Sequence, residues 1–559
     1  MLDIKGAPQA LVWLDLTEIR KGSQEDQKVL PKARIRALRA LLFAGTTASG
    51  VRPFPPASMR SYMDAESRPA HPDPAAAAHA DPAVADPTTA QCSPCPLLHD
   101  PALERRVHDL GTDLLSVARR SRRSVLSGTF WSDKMMDWAS RDQAFKLQLF
   151  RFIDAFPSLG TPGEIYGQLV AHLTAPGVKP PPGLRLAVKA GGVFKGLTAW
   201  ILSRRISSTA RRFIAAADAE EAVKVLEKLW LSDTAHTVTL LGEKCLSLDD
   251  ARKYQGDYLH LLRAASDAAA KWPARARAET DHLGPIPRAN ISIKASSLHP
   301  HLDPANQESA IEELLEMMLP ILSEAKQGSV QLHLDMEESE LKGIIFGLLK
   351  RCAETSDVEI GVVLQAYLRS AEDDAQDLIG WTRATGRQIT VRLVKGAYWD
   401  YEKARAERTG QPVPVWTLKS DSDACFERVA ARLVDAIPKS PDEGGIKLAL
   451  GSHNLRSIVA VLALLGRSGL PENAVELQML YGMAEGLKAA AVERELRLRE
   501  YIPIGPLVQG MAYLVRRLLE NTSNESWLKL GSTYGADPDD LLASPHRSDE
   551  CAADGQETG

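Results

Sequence analysis

The feature that most constrains this chain is a rhythm that begins near residue 230. Short runs rich in β-branched and apolar residues recur eight times: TVTLLGE (237–243), NISIKAS (290–296), VQLHLDM (330–336), EIGVVLQAY (359–367), ITVRLVKGAY (389–398), KLALGSH (447–453), VELQMLYG (475–482) and EYIPIG (500–505). Amphipathic stretches of helical period lie between them, such as DPANQESAIEELLEMMLPILSEAK and NLRSIVAVLALLGRSG. Near-continuous apolar strands are buried on both faces, and alternation with helices makes their sheet parallel. Eight such units over roughly 290 residues predict a closed (βα)8 barrel, placed at 231–530.

The rest of the chain reads differently. Residues 98–230 show a helical pattern, as in DPALERRVHDLGTDLLSVARRS and FKLQLFRFIDAF, broken at APGVKPPPG. The stretch 61–95, AESRPAHPDPAAAAHADPAVADPTTAQCSPCP at its heart, lacks large apolar residues and is expected to be a disordered linker within an N-terminal extension, 1–97. Residues 531–559 read as a polar C-terminal tail ending in RSDECAADGQETG, with no second cofactor domain expected after the barrel. The basic clusters at Arg119–Arg123 and Arg204–Arg212 read as solvated helix faces. A net charge of −5 gives no reason to expect a nucleic-acid partner. Six scattered cysteines fit a reducing compartment, and the lone Cys92–Cys95 pair lacks further ligands for a metal site, so no metal is expected. No secretory signal is visible, and the longest apolar run, Ile458–Gly466, falls far short of the ~20 residues that span a bilayer.

In such barrels the site is built at the carboxyl ends of the strands. Reading those ends yields Glu243, Lys294, Asp335, Gln365, Arg392 with Lys395, His453, Leu480 and Tyr501. The run VRLVKGAYWD (391–400) poses the sharpest question, because a buried strand carrying Arg392 must supply that cation with partners. Near the end of the barrel, MAYLVRRLLEN (511–521) places Tyr513, Arg516, Arg517 and Glu520 on one helical face. Paired guanidinium groups in an otherwise apolar helix suit a carboxylate, which they can hold by bidentate hydrogen bonds. No GxGxxG after a strand, P-loop, HExxH or paired CxxC is present, so a nucleotide cofactor would have to be held by the barrel itself.

ISIKASSLHP, LDMEE, VVLQAY, VRLVKGAYWDYE, GSHN, LQMLYGM and YIPIG followed by AYLVRRLLEN occur in this order and spacing. Over roughly residues 225–530 they make the chain resemble the proline dehydrogenase domain of the bacterial proline utilization A flavoproteins. The resemblance implies a distorted (βα)8 barrel that holds FAD, preceded by a helical domain. It also implies oxidation of L-proline to Δ1-pyrroline-5-carboxylate, the first step of proline catabolism to glutamate. Electrons would pass to a quinone, from a cytoplasmic enzyme touching the inner membrane surface without spanning it. The product would go to a separate pyrroline-5-carboxylate dehydrogenase.

Residue by residue, the resemblance implies that Lys294, Arg516 and Arg517 bind the proline carboxylate. Tyr398, Leu480, Tyr501 and Tyr513 would enclose the ring, and Asp335 would orient Tyr501. Glu243 would pair with Arg516 as a gate. Arg392 would reach the flavin N5 region, where a fixed cation stabilises the negative charge of the reduced ring. Asp335, Arg392 and Tyr501 are the implied catalytic group. Met336, Gln365, Val394, Lys395, Gly396, Trp399, Lys419, Ser452, His453 and Glu520 would lie along FAD, with Lys395 at its phosphates. Three positions depart from the family: Leu418 stands where it has arginine, Tyr481 where it has histidine, and Thr239 where it has an acidic residue. Two rival readings are another flavin barrel of the methylenetetrahydrofolate reductase type and a non-catalytic barrel scaffold. The arginine pair and the tyrosine cage favour a small amino acid as substrate.

Overall fold

The computed structural model describes residues 100–124, 143–178, 210–242, 244–506 and 537–546, with isolated positions 196, 200, 203, 204, 510 and 513. The N-terminal extension with its expected linker, Glu243, Arg516, Arg517 and Glu520 lie outside the described residues.

Eight strands close into one barrel: β1 (Ala235–Leu240), β2 (Ala289–Lys294), β3 (Val330–Asp335), β4 (Ile360–Gln365), β5 (Gln388–Val394), β6 (Gly445–Gly451), β7 (Val475–Leu480) and β8 (Leu498–Ile504). Each pairs in parallel with its sequence neighbours, and β1 closes on β8 from Ala235 opposite Arg499 to Leu240 opposite Ile504. All eight sequence runs therefore become strands. Several end sooner than their apolar character suggested. The run 389–398 leaves the sheet after Val394, because Gly396 turns the backbone to φ +130°. A two-residue antiparallel ladder, Thr280–Asp281 with Gly284–Pro285, was not foreseen.

The two-residue period of the strands sorts side chains by face. Val330, Leu332 and Leu334 of β3 are buried beneath the surrounding helices, while Gln331, His333 and Asp335 face the barrel axis. That interior is polar. Thr237 Oγ1 donates to Asn290 Oδ1 at 2.6 Å, Asn290 Nδ2 to Gln331 Oε1 at 2.8 Å, and Gln331 Nε2 to Thr390 Oγ1 at 2.8 Å. This belt joins β1, β2, β3 and β5 below the site and satisfies groups that would otherwise be costly to bury.

The crossover helices are α5 (Leu248–Ala269), α6 (Gln307–Gly328), α7 (Lys342–Thr355), α8 (Ala371–Thr385), α9 (Trp399–Thr409), α10 (Lys419–Val434), α11 (Leu455–Arg467) and α12 (Glu485–Glu493). Their starts follow local chemistry. The Ser247 hydroxyl caps α5 by accepting from Asp250 N, and the Asn454 side chain caps α11 by accepting from Ser457 N.

Before the barrel come α1 (Pro101–Ser124), α2 (Gln143–Ala155), α3 (Pro162–Leu173) and α4 (Ala219–Leu231). Helix α1 lies against α11 and α12, burying Leu103, Val107, Leu110, Leu114 and Leu115. The stretch after α3 returns beside β8. Ala215 N donates to Pro503 O at 3.0 Å and Gly505 N to Ala216 O at 2.9 Å. Residues 537–546, expected as part of a polar tail, pack onto this assembly. Leu541 and Leu542 are buried, and His546 meets Glu427 of α10 inside the protein.

Candidate active site

The site is assembled at the carboxyl ends of the strands. Arg392 sits on β5, two residues before the strand ends, with its side chain 5% exposed. It reaches across the barrel axis to three strands. Its Nη1 donates to Asp335 Oδ1 of β3 at 2.8 Å, its Nη2 to Ser292 Oγ of β2 at 3.0 Å, and its Nε to Gln478 Oε1 of β7 at 2.5 Å. The guanidinium carbon lies 5.2 Å from the centre of the Tyr501 ring on β8. Buried arginine needs acceptors on every edge of its fork, and these residues supply them.

Asp335 is shared. Its Oδ2 accepts the Tyr501 hydroxyl at 2.6 Å and stands 3.6 Å from Lys294 Nζ, which donates to Thr239 Oγ1 at 2.8 Å. Burial opposes the Lys294 charge, yet Tyr501, Asp335, Tyr258 and Glu337 together hold its pKa above the ordinary lysine value. Burial, reinforced by Asp335, pushes the Tyr501 hydroxyl up, while Lys294 and Arg392 oppose it. Tyr501 therefore stays protonated as a donor at neutral pH. The structure thus brings Lys294, Asp335, Arg392 and Tyr501 into one contact network. Thr239 offers a neutral hydroxyl to the Lys294 ammonium.

The loop after β3 is tied to its neighbours. Glu337 accepts from Ser296 N at 3.0 Å and from its hydroxyl, and burial raises the Glu337 pKa. Glu338 pairs with Lys244 at 2.9 Å, and Glu402 of α9 accepts from both Ser339 N and its hydroxyl at 2.6 Å. Beside this loop is a cavity of about 380 Å³ lined by residues including Lys244, Ser296, His299, His301, Asp303 and Glu340.

Of the residues expected along FAD, Met336 belongs to this loop and Gln365 touches it. Gln365 ends β4, and its Nε2 donates to Glu337 O at 3.2 Å while its buried Oε1 has no partner. Met336 is buried directly after β3, and Val394 ends β5 half-buried. Gly396 faces the Tyr367 ring so closely that a Cβ there would come within 2.5 Å of it. Its left-handed backbone also disfavours any side chain. Tyr398 is half-buried before α9. Trp399 donates from Nε1 to Trp416 O at 2.8 Å, with Lys403 4.3 Å from its ring centre. Lys395 and Lys419 both pair with Asp423, the latter at 2.6 Å. Burial lowers the Lys395 pKa, with Asp423 opposing and Lys419 adding to the effect. His453 Nε2 accepts from Leu480 N at 3.0 Å, and Ser452 Oγ accepts from Asn454 N at 3.1 Å. Leu480 and Tyr513 pack on a cluster that includes Phe152, Ile165, Phe213, Ile214, Leu241 and Met483, so the helical region forms part of the apolar wall here.

A buried acceptor without a partner and two lysines on one carboxylate fit a polar ring system carrying phosphates. Ser292 and Gln478, both in contact with Arg392, were missed in the sequence. Each lies two residues before a position already singled out, Lys294 and Leu480, and so on the same strand face; extending the period-two reading inward would have found them.

Fold and network together define a (βα)8-barrel protein with an Arg–Asp–Tyr–Lys cluster at the carboxyl ends of its strands. A family model described as "Proline dehydrogenase" matches residues 222–530, and one described as "Proline utilization A N-terminal domain" matches 104–233. The chain belongs to the proline dehydrogenase family. It is 30% identical over 345 residues to the bifunctional protein PutA of Escherichia coli (strain K12), covering 60% of this chain and 25% of that one. It is 25% identical over 322 residues to proline dehydrogenase 1 of Bacillus subtilis (strain 168), covering 58% of this chain and 90% of that one. Among solved structures it matches proline utilization A from Bdellovibrio bacteriovorus inactivated by N-propargylglycine, with a TM-score of 0.71 and 32% identity over 79% of this chain and 44% of that one. The chain therefore spans a quarter of the length of the E. coli protein and under half of the Bdellovibrio one. Among the described residues, no helix is long and apolar enough to cross a membrane.

Proposed function

We propose that this chain oxidises L-proline to Δ1-pyrroline-5-carboxylate with FAD held at the barrel mouth, and that the electrons leave to a quinone. The observation that carries the reading is the network of Arg392, Asp335, Tyr501 and Lys294 in a barrel of the proline dehydrogenase family. Bound FAD would supply the acceptor for the hydride leaving the carbon next to the ring nitrogen.

The protein's own groups do the rest. Lys294, with Arg516 and Arg517, would hold the substrate carboxylate by charge-assisted hydrogen bonds. Tyr501, Tyr398, Tyr513 and Leu480 would bound the pyrrolidine ring and keep water from it, with Asp335 holding the Tyr501 hydroxyl in place. Glu243 paired with Arg516 would close over them. Arg392 would present a fixed cation to the flavin ring, placed before negative charge develops there. Gln365 Oε1 offers an acceptor to a ring N–H. Met336, Val394, Gly396, Trp399, Ser452, His453 and Glu520 would border the cofactor, with Lys395 and Lys419 turning to its phosphates. A quinone acceptor implies contact with a membrane surface, and the imine product implies a pyrroline-5-carboxylate dehydrogenase activity that consumes it.

The test is anaerobic. Purified protein loaded with FAD should lose its flavin absorbance when L-proline is added and regain it with a quinone analogue. A flavin band indifferent to L-proline would sink this reading.

A further inference from the structure

Arg392 is held from two sides. Asp335 and Ser292 occupy one side of its fork, and Gln478 Oε1 the other at 2.5 Å. A glutamine amide can face a neighbour with its oxygen or its nitrogen, and only its surroundings decide. Here they decide fully. Gln478 Nε2 donates to Glu476 Oε1 at 2.8 Å. One end of the amide faces a guanidinium that can only donate, and the other a carboxylate that can only accept. Turning the amide over would replace two hydrogen bonds by two repulsive contacts.

Glu476 is itself anchored. It accepts from Arg499 Nε at 2.7 Å and Arg497 Nη2 at 3.1 Å, and Arg499 Nη1 donates to His236 O at 2.7 Å. Arg392, Glu476, Gln478, Arg497 and Arg499 are all more than nine-tenths buried. Burial works against the Glu476 charge, but the two arginines hold its pKa at about 2, so the carboxylate is ionised at any working pH.

We infer that Glu476 is a positioning residue whose carboxylate locks the Gln478 amide with its oxygen toward Arg392, and so fixes the cation that faces the flavin. This rests on the proline dehydrogenase reading. Two other roles for Glu476 make different predictions. As a bare charge, it would lower the flavin potential, and removing it would raise that potential. As a purely structural anchor, its loss would lower melting temperature alone. As a positioning residue, its loss lowers the potential, because the cation is no longer held in place.

The experiment starts with FAD-loaded wild type, whose bleaching by L-proline tests the underlying reading on its own. Redox titration then compares Glu476→Gln, Glu476→Asp and Gln478→Met with wild type and Arg392→Met. The positioning role predicts that all three shift the potential down, in the same sense as Arg392→Met. The expected size is about ten-fold in the reduction equilibrium, about 30 mV for a two-electron couple. Glu476→Asp keeps the charge but not the reach, so an unchanged potential in that variant overturns the inference. So does a raised or unchanged potential in Glu476→Gln. If Glu476→Gln does not fold, Gln478→Met decides, since it leaves Glu476 with its arginines; a potential not lowered there overturns the inference.

Discussion

At the scale of single residues, Arg392 shows how much one side chain can organise. Its fork serves Asp335, Ser292 and Gln478 on three strands, a spread that a lysine ammonium cannot match from one point. Removing the cation also strands the buried Asp335 carboxylate with only Tyr501 and Lys294. Arg392→Met is expected to cost about 3–5 kcal/mol of unfolding free energy, the usual loss when one partner of a buried pair is deleted. Arg392→Lys should cost less but clearly more than zero, about 1–3 kcal/mol for the acceptors left unpaired. Urea unfolding of the three proteins checks both; a lysine variant as stable as wild type would show that the fork is not needed. That Arg392 mattered was legible, because a cation in an apolar strand is conspicuous. Its partners were not. Ser292 and Gln478 are ordinary residues in sequence, and their roles arise only from closure of the barrel, which brings β2 and β7 to the same guanidinium.

At the scale of elements, the joint between the helical region and the barrel rests on Arg456 of α11. Its Nη1 and Nη2 each donate to Glu104 of α1 at 2.6 Å, its Nε to Glu427 of α10 at 2.9 Å, and its Nη1 also to Leu542 O at 3.1 Å. His546 Nε2 meets the other Glu427 oxygen at 3.1 Å. Arg456→Met should therefore loosen two elements at once. Hydrogen exchange is expected to speed up in residues 101–124 and 538–546 while β3 to β5 keep their protection. Uniform acceleration throughout would mean that the joint is not a local one. The strands and helices of the barrel were legible from periodicity. The docking of 537–546 was not, because two leucines and a histidine amid polar neighbours carry no period, and their burial depends on a surface built elsewhere.

At the scale of the whole molecule, histidines buried on both faces of the barrel strands make stability depend on pH. His236 is buried at the edge of Trp272, 5.3 Å between ring centres, and neither ring nitrogen has a partner. Burial, then Arg499, lowers its pKa from 6.5 to about 3, and His333 is likewise lowered, chiefly by burial. A histidine neutral when folded and near 6.5 when unfolded lets the unfolded chain bind the extra proton. Its contribution is therefore intact above 6.5 and is lost as pH falls toward 3. Between pH 7 and 5 the loss through His236 should be about 2 kcal/mol. His236→Phe keeps an aromatic edge against Trp272 and cannot titrate, so its urea stability should fall by that much less over the same range. Equal slopes for the two proteins would place the acid sensitivity elsewhere.

The backbone pairing of 215–216 with the end of β8 has a consequence for inheritance. Ala215 and Ala216 are hydrogen-bonded to Pro503 and Gly505, while Gly482 has no room for a side chain because a Cβ would lie 1.8 Å from Arg212 O. The barrel is thus sutured to chain that precedes its first strand by some twenty residues. A crossover that exchanged only the repeating strand–helix units would cut those stitches and bare the rim of β7 and β8. The portion that can be moved intact between proteins runs from α1 through His546, so the helical region and the barrel are transmitted as one.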